Sequence, residues 1–129
     1  MRAALAAATL SGLPSTAYAV ATGRDPLEAT KAAGAFLVGD RAPAGLRLAA
    51  AVPAHLAVSF FWSAVLERAL PTRRRVGWGA AGGLVIAALD LAVLGRRSPA
   101  LRRLPLGPQL ADHALFGALV GVLSDPGRS

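Results

Sequence analysis

The feature that most constrains this chain is a series of long blocks that carry almost no charge. From Ala3 to Gly23 the one ionisable side chain is Tyr18, from Leu48 to Leu66 it is His55, and from Val76 to Gly95 it is Asp90. A helix that crosses bilayer hydrocarbon needs about 20 mainly apolar residues, and these three blocks reach that length. A fourth, Pro108 to Ser124, is shorter and carries Asp112 and His113 near its start. A soluble helical bundle would show a polar stripe every three or four residues, and none of the four blocks has one. Only 16% of the residues are charged, against about 25% in an ordinary soluble domain.

These blocks predict an all-α polytopic membrane protein, a four-helix transmembrane bundle in a single membrane domain over 1–129. The spans are expected at about 3–22, 46–70, 76–95 and 108–124. Asp25-Pro26-Leu27-Glu28 reads as a helix start, with Asp at N-cap, Pro in the first helical position and Glu in the third. The helix it opens, about 26–38, includes Lys31 and is too short to span, so it is expected to lie along the interface or re-enter the bundle.

The N-terminus has a second reading. Met1-Arg2, the run Ala3 to Leu10 and Ala17-Tyr18-Ala19 resemble a signal peptide with an A-x-A cleavage site. The run is mostly Ala and its positive flank is a single Arg, which favours a retained first span. Pro14 should kink that span, because proline lacks a backbone donor and clashes with the preceding turn. Ser11, Gly12, Ser15 and Thr16 surround the kink and are expected to satisfy the freed carbonyl. Trp62 and Trp78, near the two ends of the turn at 71–75, read as interfacial belt residues.

The net charge of +7 comes from arginines placed between the apolar blocks: Arg73, Arg74 and Arg75, then Arg96 and Arg97, then Arg102 and Arg103. That placement points to lipid phosphates at a membrane surface and away from nucleic acid. The expected partners are therefore the lipid bilayer and a membrane protein or a second copy, in a multi-pass cell-membrane location such as a bacterial inner membrane. With four spans both termini share one side. That side holds Arg2, Arg68, Arg73, Arg74, Arg75 and Arg128; the other holds eight basic residues, in the 23–47 and 96–107 segments. The positive-inside rule leans toward placing the second set in the cytoplasm.

Much chemistry is excluded. Without cysteine there are no disulfides, thiolate metal sites or cysteine nucleophiles, and without Asn there is no N-glycosylation acceptor. Gly77-Trp78-Gly79-Ala80-Ala81-Gly82 fits G-x-G-x-x-G. A dinucleotide site, however, needs a preceding strand and an acid about 20 residues on, whereas Arg73 to Arg75 precede it and Asp90 follows too soon. Asp112 and His113 are adjacent, so on a helix they diverge by about 100° and do not suit one metal ion. No hydrolase, phosphate-loop, metalloprotease or deaminase arrangement is present; no cofactor and no catalytic residue is assigned.

The glycines read better as packing. Gly79, Gly83 and Ala87 share one face of the third span, and Gly117 and Gly121 one face of the fourth; small faces of this kind let helix backbones approach closely in lipid. Asp90 lies on the face of Gly83 and Ala87, and His113 on the face of Gly117 and Gly121. Packing the two faces antiparallel is expected to set Asp90 opposite His113. Along alternating helices Ser15, Thr16, His55, Asp90, Asp112 and His113 reach similar depth, forming one polar layer toward the 96–107 side. The bland alternatives are that Asp90 pairs with Arg97 on its own helix, that Asp112 complements the helix dipole, and that His55 is a packing residue.

Several strings occur together: Ser11-Gly12-Leu13-Pro14-Ser15-Thr16, Thr22-Gly23-Arg24-Asp25-Pro26-Leu27, Ala88-Leu89-Asp90-Leu91, and Pro108-Gln109-Leu110-Ala111-Asp112-His113 before Phe116-Gly117. In these the chain resembles a group of small uncharacterised bacterial four-helix membrane proteins. The resemblance implies a membrane bundle and no activity. The expected role is non-enzymatic, in assembly or partner binding. The alternative is a small proton-linked transporter or channel subunit using Asp90 with His113 or His55.

Overall fold

A computed structural model describes residues 2–124, and these are helical with no strand among them. The helices are α1 (Arg2–Leu10), α2 (Leu13–Ala21), α3 (Glu28–Val38), α4 (Ala44–Ala69), α5 (Arg75–Arg97), α6 (Pro99–Arg102) and α7 (Leu106–Leu123). Taking α1 and α2 as one broken helix, four are long and apolar enough to cross a membrane.

α7 is the hub. It packs along α5 and also touches α1, α2 and α4. The α5–α7 seam is made by glycine. A Cβ on Gly83 would collide with the carbonyl of His113, one on Gly117 with the carbonyl of Gly79, and one on Gly121 with the carbonyl of Arg75. The nucleotide-type glycine pattern is therefore divided. Gly79 is buried in this seam, Gly82 faces a Leu66 methyl, and Gly77 has open space around it. The core beside the seam joins Ala7, Leu66, Leu70, Ile86, Phe116 and Val120. Trp62 packs against this core, whereas Trp78 is exposed.

The ends of the elements show which signals were local. Asp25 is not the N-cap its sequence suggests: its Oδ1 accepts from the Leu27 amide at 2.9 Å in a turn, and regular helix starts only at Glu28 with Leu27 at the N-cap. α3 then folds back on α4 as a hairpin, with Gly34 against the backbone of Arg47. The turn between α4 and α5 is closed by Arg75, which the sequence placed among the arginines facing lipid phosphates and which the structure turns inward. Arg75 is buried and donates from Nη1 to the carbonyls of Leu70 at 3.1 Å and Pro71 at 3.4 Å. Cations suit a helix C-terminus because its carbonyls lack partners there. Arg74 enters this turn with φ of 55°, in the left-handed region.

Candidate functional site

The polar side chains converge at mid-height, beside the break in the first helix. Pro14 has no N–H and sits in the first turn of α2, so the run of helical bonds stops between Leu10 and Leu13. Breaking a helix creates an end with free carbonyls and a start with free amides. Residues far away in sequence take up both. Asp112 Oδ1 accepts from the Ser15 amide at 2.9 Å, capping the start of α2 from α7. His55 Nε2, from α4, lies 2.8 Å from the carbonyl of Ala8. A carbonyl only accepts, so this ring nitrogen carries the proton. An acid at a helix start and a proton-bearing imidazole at a helix end both complement the helix dipole.

The second half of the layer is the pair Asp90 and His113. His113 Nε2 and Asp90 Oδ2 are 3.2 Å apart, and His113 Nδ1 is 2.8 Å from the carbonyl of Gln109. Nδ1 must therefore hold a proton, and one further proton lies between Nε2 and the carboxylate. The pair is neutral overall wherever that proton sits, which lowers the cost of carrying two ionisable groups inside an apolar bundle. Gln109 in turn donates from Nε2 to the carbonyl of Leu104 at 3.1 Å, fixing the turn before α7.

The register explains how the pair meets. The backbone of His113 lies opposite Gly83, not opposite Asp90. Side chains on a helix lean toward its N-terminus, and α5 and α7 are antiparallel, so Asp90 and His113 lean toward each other. Ala87, fully buried between the two levels, leaves room.

Each expected residue has a definite place. Asp90 pairs with His113, so pairing with Arg97 is not what the structure has; among the described residues Arg97 makes no ion pair. Ser15 joins the layer through its backbone amide. Thr16 is exposed and stands outside the layer, because the helical phase restarts after the break. Among the described residues none of Ser11, Ser15 and Thr16 bonds the carbonyl of Leu10, the one that Pro14 leaves without an amide; His55 takes that of Ala8, two residues earlier. Ser59 and Ser63 are buried on the inner face of α4. α5 and α4 extend further toward the arginine-rich end than the expected spans. Asp90 is seven residues from the end of α5, or about 10 Å, and His55 lies near the middle of α4.

Beside the layer, between the α2–α3 turn and the turn before α7, Ser15, Tyr18, Asp25 and Gln109 border a cavity of about 20 Å³, room for a single water. Among the described residues no three His, Asp or Glu side chains cluster as metal ligands would. In one flank the layer is open: the side chains of His113 and Asp90 are 29% and 26% exposed, and His55 is exposed. Compared with protein-family models, with curated proteins and with solved structures, the chain matches none of them.

Proposed function

We propose that this chain is a multi-pass integral membrane protein that works without catalysis, as an assembly component whose polar layer fixes its helices and meets a partner in the membrane. Membrane insertion is supported by the four long apolar helices and by their outer faces, where Val20, Val52, Phe61 and Val85 are 64%, 59%, 60% and 61% exposed. A monomer in water rarely leaves so much apolar surface uncovered. The resemblance to small bacterial four-helix membrane proteins agrees with this and with an inner-membrane location.

The observation that carries the assembly reading is the open flank of an otherwise engaged layer. Ser15, Asp112, His55, Asp90 and His113 are each held by a polar group of another helix. Such a layer favours specific packing over solute passage. The exposed parts of Asp90, His113 and His55 would nevertheless lie at membrane depth, where lipid tails offer no hydrogen bonds. Another protein surface, a second copy or a different membrane protein, would cover them. The absence of cysteine allows a direct test. Leu89→Cys, on the exposed surface next to Asp90, should give one crosslinked product of defined mass in native membranes. Monomer alone from this and from Val52→Cys would refute the assembly role.

The broken first span favours one other reading, proton-linked transport. Broken helices line ion and solute sites in transporters, with their free ends toward the solute. Here both ends are clamped by titratable groups, so transport would require Asp112 or His55 to let go. Proton uptake by proteoliposomes that disappears with Asp112→Asn would support it, and the same uptake by wild type and variant would exclude it.

A further inference from the structure

At the arginine-rich end, away from the polar layer, α3 and α5 finish side by side and leave an open cleft of about 430 Å³. Its wall carries Arg41 and Arg97, with Asp40 beside them, and an apolar part formed by Phe36, Val38 and Pro99. Among the described residues the cations Arg24 and Lys31 are used up in ion pairs with Glu28 and Asp25, whereas Arg41 and Arg97 have no acidic partner. Two guanidinium groups can take a phosphate through forked hydrogen bonds.

The cleft is not simply basic. Two helices end in it, α3 at Gly39 and α5 at Ser98. The carbonyls of Gly39 and Ser98 accept from the Ala42 and Arg102 amides at 3.2 and 3.3 Å, but those just before them, in the last turn of each helix, lack intrahelical partners and carry partial negative charge. With the carboxylate of Asp40 they make a second, electronegative half. A purely anionic headgroup would leave that half unmatched. A headgroup with a phosphate and a hydrogen-bonding ammonium matches both halves. Choline, which has no N–H, would reach the carbonyls without bonding to them.

Resting on the membrane reading above, we propose that this cleft is a binding site for a phospholipid with a phosphoethanolamine headgroup. Arg41 and Arg97 hold the phosphate, Asp40 and the ends of α3 and α5 hold the ammonium, and Phe36, Val38 and Pro99 contact the glycerol region. The cleft lies at the end of the spans, where headgroups sit, and its volume falls within the range of about 300–1,000 Å³ usual for small-molecule sites.

The test uses the full chain in detergent, with native mass spectrometry of the bound lipid. Phosphatidylethanolamine, phosphatidylglycerol and phosphatidylcholine with the same acyl chains are offered in equal amounts. Retention of the ethanolamine lipid should exceed that of the other two by about tenfold, the equivalent of one or two hydrogen bonds to charged groups. The Arg41→Gln, Arg97→Gln double variant should lose that retention, and Asp40→Asn should shift preference toward phosphatidylglycerol. Soluble phosphoethanolamine should compete only weakly if the glycerol region contributes, and full competition at equal concentration would reassign the site to the free phosphoester. Equal retention of the three lipids, or retention unchanged in the double variant, would overturn the proposal. Circular dichroism of each variant separates lost binding from lost fold, since these side chains are exposed. Alkaline carbonate extraction tests membrane insertion separately: release of the chain defeats that reading, whereas a retained chain without lipid preference defeats the cleft alone.

Discussion

At Gly83 one missing side chain sets the distance between two helices. Its ideal Cβ would strike the His113 carbonyl, so Gly83→Val should cost about 1–3 kcal/mol, as overpacking does, and should separate Asp90 from His113. Gly77, with open space around it, serves as the control: Gly77→Ala should be neutral or slightly stabilising, since alanine favours helix. Thermal unfolding in detergent measures both. Asp112 acts at the same scale. Asp112→Ala removes the cap on the Ser15 amide and should cost about 0.5–2 kcal/mol, while Thr16→Val, on the exposed face, should cost little. Equal losses from the two would mean that the cap is not what holds the break. Pro14 made the break legible, since proline announces it locally. The groups that fill it were not, because Asp112 and His55 stand 97 and 47 positions away from their partners. Thr16 was misplaced for a related reason: once a helix breaks, its phase can no longer be carried across the gap.

Among the elements, the spans were the most legible, because about 20 uncharged residues have few other solutions. Their ends moved by a few residues where charged side chains continue a helix beyond its apolar part, as Arg96 and Arg97 do in α5. The α5–α7 contact was legible too, since the spacing of Gly79, Gly83, Gly117 and Gly121 marks two flat faces. Its register was not, and the lean of the side chains is what lets Asp90 reach His113. The turn between α2 and α3 gives a prediction about pH. A hydrogen bond from Lys31 holds the Asp25 carboxyl below its ordinary range, and one from Arg24 does the same for Glu28. Carboxyls depressed in the folded state stabilise it above their unfolded pKa and lose that contribution as pH falls through the lower folded value. The turn should therefore be intact at neutral pH and loosen on acidification below the usual carboxylate range of about 4. Hydrogen exchange of the Leu27 and Glu28 amides against pH tests this. The pairs are at the surface, so protection that vanishes with salt at neutral pH would show screening to dominate instead.

For the whole molecule, charge sets how the bundle would sit in a membrane. Eight basic residues lie in the 23–47 and 96–107 segments and six toward the termini and the 71–75 turn, so the first end is expected to face the cytoplasm. Reporter fusions placed after Arg103 and after Ser129 should report opposite sides, and the same side for both would break the four-span topology. The polar layer joins four helices at mid-height, and its most telling link is the pair between α5 and α7. A double-mutant cycle in detergent, with Asp90→Ala, His113→Ala and both together, measures that link directly. The account predicts a coupling of about 0.6–1.7 kcal/mol, the range found for hydrogen bonds between membrane helices, with the double variant losing less than the two single losses combined. Strictly additive losses would contradict it, because Asp90 and His113 would then stabilise the bundle independently.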